Sequence, residues 1–198
     1  EAGILCNLAG GIIVDDTFKT NIEDIYAIGD VIEVEHLINH KKTMIPLAGP
    51  ANKQGRMLGD ILAGKEKRYP GSLGSSIIKV FDLVAASTGL NEKQLNQQGL
   101  KRHEDYEAII LQQKAHAGYY PNASFITLKV IYDQEGYLLG GQIVGYQGVD
   151  KRIDVLATAI NYHGQVTDLQ DLHLAYAPPF SSAKGPINMV GYVSENIA

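Results

Sequence analysis

Three short stretches of this chain carry residue types that can do chemistry. The first is Gly29-Asp30, directly after the apolar run Ile25-Tyr26-Ala27-Ile28. A carboxylate just past a buried strand stands at the carboxyl edge of a sheet, where α/β proteins bind ligands, and it suits a sugar or polyol hydroxyl. On spacing alone a turn aspartate capping backbone amides is the better reading. The second stretch is Pro46-Leu47-Ala48-Gly49-Pro50-Ala51-Asn52, leading into a helical pattern. A helix N-terminus offers free N–H groups and about half a positive charge, enough to hold an electron-rich oxygen or a phosphate. Taken by itself, it reads better as a plain helix opened by proline. The third runs from Ala175 through Tyr176, Pro178 and Pro179 to Lys184. Its two prolines fix an extended backbone and hold Tyr176 and Lys184 in place. Two more tyrosines, Tyr119 and Tyr120, follow His116. A phenol can donate a proton or a hydrogen bond to a departing thiolate. Tyrosines at segment ends more often pack and leave the hydroxyl wet.

Other chemistries find little support. The six histidines form one His-x-x-x-His pair, His36 and His40, in an irregular Glu-rich stretch, so no metal site is expected. Cys6 is the one cysteine, which allows no internal disulfide and reads as a small, half-buried residue. Such low cysteine use fits a reducing, cytoplasmic compartment. A net charge of −5 argues against a nucleic-acid surface, local spots such as Lys151-Arg152 notwithstanding. No apolar run approaches the ~20 residues of a membrane span. Glu1-Ala2-Gly3 has no basic start and apolar run, and reads as the inside of an ongoing segment rather than a natural start. Neither a Gly-x-Gly-x-x-Gly loop nor a P-loop is present.

The elements that position these residues fall into two groups. Gly11–Val14 and Ile25–Ile28 read as short buried strands, residues 31–44 as irregular, and Pro46–Gly64 as a helix with Ala51, Gly55, Leu58 and Leu62 on one face. Residues 65–74 are charged, then Pro/Gly-rich, and mark a linker. We therefore expect the end of an α/β domain over 1–70 and a second domain over 71–198. In the second, Ile77–Ala86 reads as one or two strands and Asn91–Gln98 as a short helix. Ala108–Ala115, Phe125–Tyr132 and Tyr137–Gly145 read as three strands, the last two joined by the turn Asp133–Gly136. Asp150 is expected to cap a helix with an Ile153, Leu156, Ala157, Ile160 stripe, Thr167 to open a short helix, and Ile187–Ile197 to form the last. The sum is an α+β domain, an antiparallel sheet with flanking helices.

In this order the motifs resemble one superfamily. Thr20-Asn21-Ile22-Glu23-Asp24-Ile25-Tyr26-Ala27-Ile28-Gly29-Asp30 resembles the second FAD motif of the pyridine nucleotide–disulfide oxidoreductases. Pro46-Leu47-Ala48 followed by Lys53-Gln54-Gly55-Arg56 is similar to their flavin-facing helix start. Tyr119-Tyr120-Pro121, Gly148 to Asp154, and Ala175 to Met189 resemble the coenzyme A disulfide reductase and NADH-dependent persulfide reductase branch. The likeness runs over essentially all 198 residues. It implies the back half of an FAD- and NAD(P)H-dependent enzyme: the last part of the FAD domain, then a dimerisation domain. Thr20, Ile28, Gly29 and Asp30 would line the FAD ribitol, and the amides at Leu47 and Ala48 would face the flavin. Tyr176 with Tyr119 or Tyr120 would reach the other subunit's cysteine and flavin in a homodimer. Asn52, His116 and Lys184 would touch coenzyme A. The family usually reads Ala-Lys-Asp-Pro where this chain has Ala183-Lys184-Gly185-Pro186, which puts the setting of Lys184 in question. The front half, with the redox cysteine and both dinucleotide loops, is not in this chain, so the fragment alone is expected to be inactive. Two alternatives stay open: a flavin-dependent NADH oxidase or peroxidase, and a dimerisation module without turnover. The Tyr-Ala-Pro-Pro segment favours the reductase.

Overall fold

A computed structural model describes residues 2–196. The chain divides into two compact units, Glu1–Gly74 and Ser75–Ala198.

In the first unit the strands β1 (Glu33–Glu35) and β2 (Lys42–Met44) pair antiparallel, Val34 opposite Thr43. This hairpin lies where the sequence reads as irregular, because three-residue strands are too short to show an alternating pattern. Gly11–Val14 and Ile25–Ile28, read as strands, form only single bridges: Ile12 with Cys6 and with Ile32, and Tyr26 with Lys19. Ile25 is exposed, so the second run is not a buried strand either. Apolar β-branched residues mark this stretch for burial, yet no ladder forms along it. The helix α1 (Ala48–Leu62) packs Met57, Leu58 and Ile61 onto a small core of Phe18, Ile32 and Val34. Tyr69 closes that core, its ring 5.4 Å from Phe18.

The second unit is a five-stranded antiparallel sheet in the order β3-β4-β7-β6-β5. Its strands are β3 (Ser76–Val80), β4 (Leu83–Gly89), β5 (Tyr106–Lys114), β6 (Phe125–Asp133) and β7 (Leu138–Gly145). The period-two alternation of β6 decides its faces: Ile126, Leu128 and Val130 are fully buried, while Phe125 is exposed. The β6–β7 turn forms because Asp133 Oδ1 accepts the N–H groups of Glu135 and Tyr137 and Gly136 adopts φ +90°. One sheet face is covered by α3 (Val149–Asn161), which packs on β7 and β4, and by α5 (Pro186–Ser194), which packs on β5. The helix α2 (Glu92–Gln97) opens on a capping box between Asn91 and Gln94. It is fastened to the sheet by the Glu92–Lys129 ion pair and by Tyr106, whose hydroxyl lies 3.2 Å from Asn96 Oδ1. The short α4 (Asp168–Asp171) is clamped to α5 by Asn188, whose amide reaches the carbonyls of Leu169, Gln170 and Leu172. Ile78, Val80, Ile110 and Val144 remain exposed on the sheet.

Two boundaries differ from the sequence reading. The cap of α3 is Gly148, in the left-handed region at φ +64°, and Asp150 lies in the first turn. Val149, 1% exposed, already belongs to the buried stripe and starts the helix earlier. The helix α5 ends at Ser194, and Ile197 lies outside the described residues.

Candidate functional site

In the first unit, the carboxylate of Asp30 is exposed at the start of a single 3-10 turn, Gly29–Val31. That turn is oriented by α1. Gln54, 1% exposed, accepts the Gly29 N–H on its Oε1 at 2.7 Å. Gly29 sits at φ +84°, where a side chain would be strained. Thr20 acts inside its own loop: its hydroxyl donates to Ile25 O at 3.0 Å and accepts from Ile22 N–H at 3.1 Å. Ile28 is half-buried and packs on the Phe18 core.

Leu47 caps α1, and its own N–H is directed to Ile45 O at 2.9 Å. The amides left for a ligand are therefore those of Ala48 and Gly49, since Pro50 has none. Asn52 is exposed one turn further on. This edge offers an acceptor, Asp30, and helix-terminal donors, a set that fits the polyol and the electron-rich ring edge of a flavin.

In the second unit the tyrosines come together. The β5–β6 connection carries His116, Tyr119 and Tyr120, and the segment between α4 and α5 carries Tyr176. The hydroxyls of Tyr119 and Tyr176 are 3.4 Å apart although 57 residues separate them in sequence. Both rings project into solvent, 78% and 48% exposed, so the phenols are presented rather than packed. The contact with Tyr119 raises the pKa of Tyr176 above the ordinary phenol value, so it is a proton donor at neutral pH. Tyr120 stands edge-on to His116, ring centroids 5.8 Å apart. His116 itself is buried and donates from Nδ1 to Ala117 O at 3.2 Å, so it braces the loop as well as facing it.

Backbone bonds join the two segments. The Ala117 N–H bonds to Ser181 O at 2.9 Å and to Pro178 O at 3.3 Å. Phe180 N–H turns back on Ala177 O at 2.9 Å. Lys184 is exposed, and its carbonyl accepts from Ser182 Oγ at 2.7 Å and Gln113 Nε2 at 3.3 Å.

The sequence reading names Gln54, Lys151 and Arg152 only within longer stretches or as a basic spot, and gives none of them a role. Lys151 Nζ donates to Phe180 O at 2.9 Å, and the buried Arg152 donates from Nη2 to Ala115 O at 2.6 Å. The signal for Arg152 was present. It stands three residues after Val149 and four before Leu156, on the apolar stripe of α3, where an isolated cation must have internal partners. Among the described residues no cluster of three or more His, Cys, Asp or Glu could hold a metal ion. Likewise, no helix among them is long and apolar enough to cross a membrane.

Comparison with known proteins gives the family. Residues 75–185 match the dimerisation domain of the pyridine nucleotide-disulphide oxidoreductases, and residues 1–55 match a second domain of the same family. A coenzyme A disulfide reductase from Staphylococcus epidermidis is 37% identical over 98% of the chain and 44% of its own length. The solved structure of reduced Bacillus anthracis CoADR-RHD is 51% identical, with a TM-score of 0.92 over 99% of this chain and 35% of that one. A NAD-dependent persulfide reductase from A. fulgidus is 41% identical, with a TM-score of 0.91 over 99% of this chain and 36% of that one. The chain thus spans less than half the length of each of these relatives. Enzymes of this kind are FAD- and NAD(P)H-dependent. With the family's dimerisation domain matched over residues 75–185 and the family's oxidoreductase domain matched over residues 1–55, the chain belongs to the pyridine nucleotide-disulphide oxidoreductases.

Proposed function

We propose that this chain is the C-terminal part of an FAD- and NAD(P)H-dependent reductase of coenzyme A disulfide or of per- or polysulfides, working as a homodimer in the cytoplasm. Its share of the work is the dimer interface and a set of phenols presented to the partner's redox centre. The observation that carries this reading is the pair of exposed hydroxyls on Tyr119 and Tyr176, 3.4 Å apart and held by two backbone-bonded segments. A packing role would bury these rings; here both remain exposed at the surface of their unit. A thiolate leaves faster when it is hydrogen-bonded or protonated as it departs, and a protonated phenol can do either. Within the second unit Lys184 is exposed and suits the phosphates of a coenzyme A substrate, with His116 bracing the Ala115–Tyr120 loop. Asp30 would accept from the FAD ribitol, and the Ala48 and Gly49 amides would favour negative charge on the flavin's pyrimidine edge.

Dimerisation is the first expected outcome. The exposed side chains of Ile78, Val80, Phe81, Ile110 and Val144 are apolar surface for an assembly to cover. The 21.5 kDa chain should sediment as a dimer at micromolar concentration; a monomer at every concentration would contradict the proposal.

The isolated chain should also purify colourless. It presents one edge of a flavin site, whereas much of the affinity for a dinucleotide comes from a glycine-rich pyrophosphate loop, which this sequence does not contain. Flavin absorbance that survives desalting would overturn that expectation.

A further inference from the structure

Resting on the phenol reading above, we infer that Lys151 and Arg152, side by side in the first turn of α3, are positioning residues that set the separation of the Tyr119 and Tyr176 hydroxyls. Arg152 is 3% exposed, and among the described residues no carboxylate lies within ion-pair distance of it. Its guanidinium is held by carbonyls instead: Nη1 donates to Gly148 O at 2.8 Å and Nη2 to Ala115 O at 2.6 Å. Ala115 is the foot of the loop that carries His116, Tyr119 and Tyr120. Lys151, the adjacent side chain, donates to Phe180 O in the turn that follows Tyr176. One helical turn therefore holds the bases of both tyrosine segments, and the Ala117–Ser181 backbone bond ties those segments to each other.

The local sequence is fitted to this task. Gly148 lies at φ +64°, and a Cβ there would collide with Arg152 Nη1, so the glycine leaves room for the guanidinium as well as starting the helix. Burial depresses the pKa of Arg152 to about 10, which still leaves it charged at neutral pH. The planar fork fixes two carbonyls at once, which an ammonium on a flexible stem does not do. A purely packing role would be served by an apolar side chain, but that would strand the Ala115 carbonyl, whose donor is Arg152.

The test reads the phenols directly. Tyrosine labelled with 13C at Cζ is followed by NMR titration in the 198-residue chain, in the parent and in Arg152→Met and Lys151→Met, each checked for folding by circular dichroism. In the parent, Tyr176 titrates above the ordinary phenol value of about 10 because Tyr119 faces it. In both variants the contact is lost, and the Tyr176 midpoint falls back toward about 10. An unchanged Tyr176 midpoint in folded Arg152→Met and Lys151→Met overturns the inference. Should Arg152→Met fail to fold, Lys151→Met decides by the same criterion, because the Lys151 side chain is exposed. In the full-length flavoenzyme, Arg152→Ala should lose about 10- to 100-fold in kcat with KM little changed, since small displacements of reacting groups cost that much. Added guanidinium should restore part of it, entering the cavity of about 130 Å³ that Arg152 lines with Leu174, Pro186 and Ile187. If the Tyr176 midpoint shifts while disulfide reduction keeps its parental rate, the positioning role stands and the catalytic reading of the phenols falls.

Discussion

Replacing Tyr119, Tyr120 and Tyr176 together by Phe should slow reoxidation of the reduced full-length enzyme by coenzyme A disulfide by about 10²–10⁴-fold, the usual contribution of a positioned proton donor. The bound FAD should be retained. The size follows from what the substitution removes. Each change deletes one hydroxyl and keeps the ring, and at the exposed Tyr119 and Tyr176 no buried partner is stranded, so folding is little affected. What disappears is a pair of donors fixed in place by Pro178, Pro179 and the Ala117 backbone bonds, which need no further ordering when the substrate arrives. Tyr176→Phe alone should cost less, because Tyr119 stands 3.4 Å away and can take over part of the role. Stopped-flow measurement of the reduced enzyme mixed with coenzyme A disulfide separates this step from flavin reduction by NAD(P)H. Parental rates in both the single and the triple variant would show that the tyrosines are surface residues.

Gly140→Ala should destabilise the second unit by about 3 kcal/mol, the upper end of the usual overpacking penalty. Gly140 lies on β7, pressed against the chain where it leaves β4. A Cβ there would collide with the Leu90 carbonyl oxygen and approach Leu90 N to 2.8 Å. Both are backbone atoms, so no rotamer change relieves the contact, and Leu90 N–H is already bonded to Leu139 O at 2.9 Å. Against a total stability of roughly 5–15 kcal/mol, such a loss is large. Gly59→Ala is the contrasting control. It lies within α1 with nothing within 4 Å of its Cβ position, so it should stabilise by about 0.4–1 kcal/mol. Urea midpoints of the two variants moving in opposite directions would bear this out; a neutral Gly140→Ala would contradict the packing described for β7.

Much of the second unit could be read from the sequence because its strands alternate cleanly and its turns carry their own chemistry. Ile126, Leu128 and Val130 against Phe125 and Thr127 declare a sheet with one buried face, and Asp133 to Gly136 declare its hairpin. The first unit was less legible. Its apolar runs at Gly11–Val14 and Ile25–Ile28 signal strands but find single bridges, and the three-residue hairpin β1–β2 gives no periodic signal. In the site, motif resemblance picked out Asp30, Tyr119 and Tyr176 one by one, but the approach of two hydroxyls 57 residues apart is a property of the fold. Arg152 and Gln54 were given no role for a related reason. A polar side chain on a buried stripe has internal partners, but the carbonyl of Ala115 and the N–H of Gly29 are named only by the folded chain. The same limit explains Leu47, whose N–H turns to Ile45 O and leaves the neighbouring Ala48 and Gly49 amides as the donors.

The central claim is that phenols of one subunit serve the redox centre of the other, and subunit complementation measures it. Full-length enzyme lacking the hydroxyls of Tyr119, Tyr120 and Tyr176 is unfolded and refolded together with full-length enzyme whose redox cysteine, in the N-terminal half, is replaced by serine. Each homodimer is defective by itself. If the phenols act across the interface, a hybrid dimer contains one site with an intact cysteine from the first subunit and intact tyrosines from the second. Disulfide reductase activity should then reappear at up to one working site per hybrid dimer. If the phenols act within their own subunit, every site in the hybrid lacks one component, and a mixture no more active than its defective parents would contradict the account.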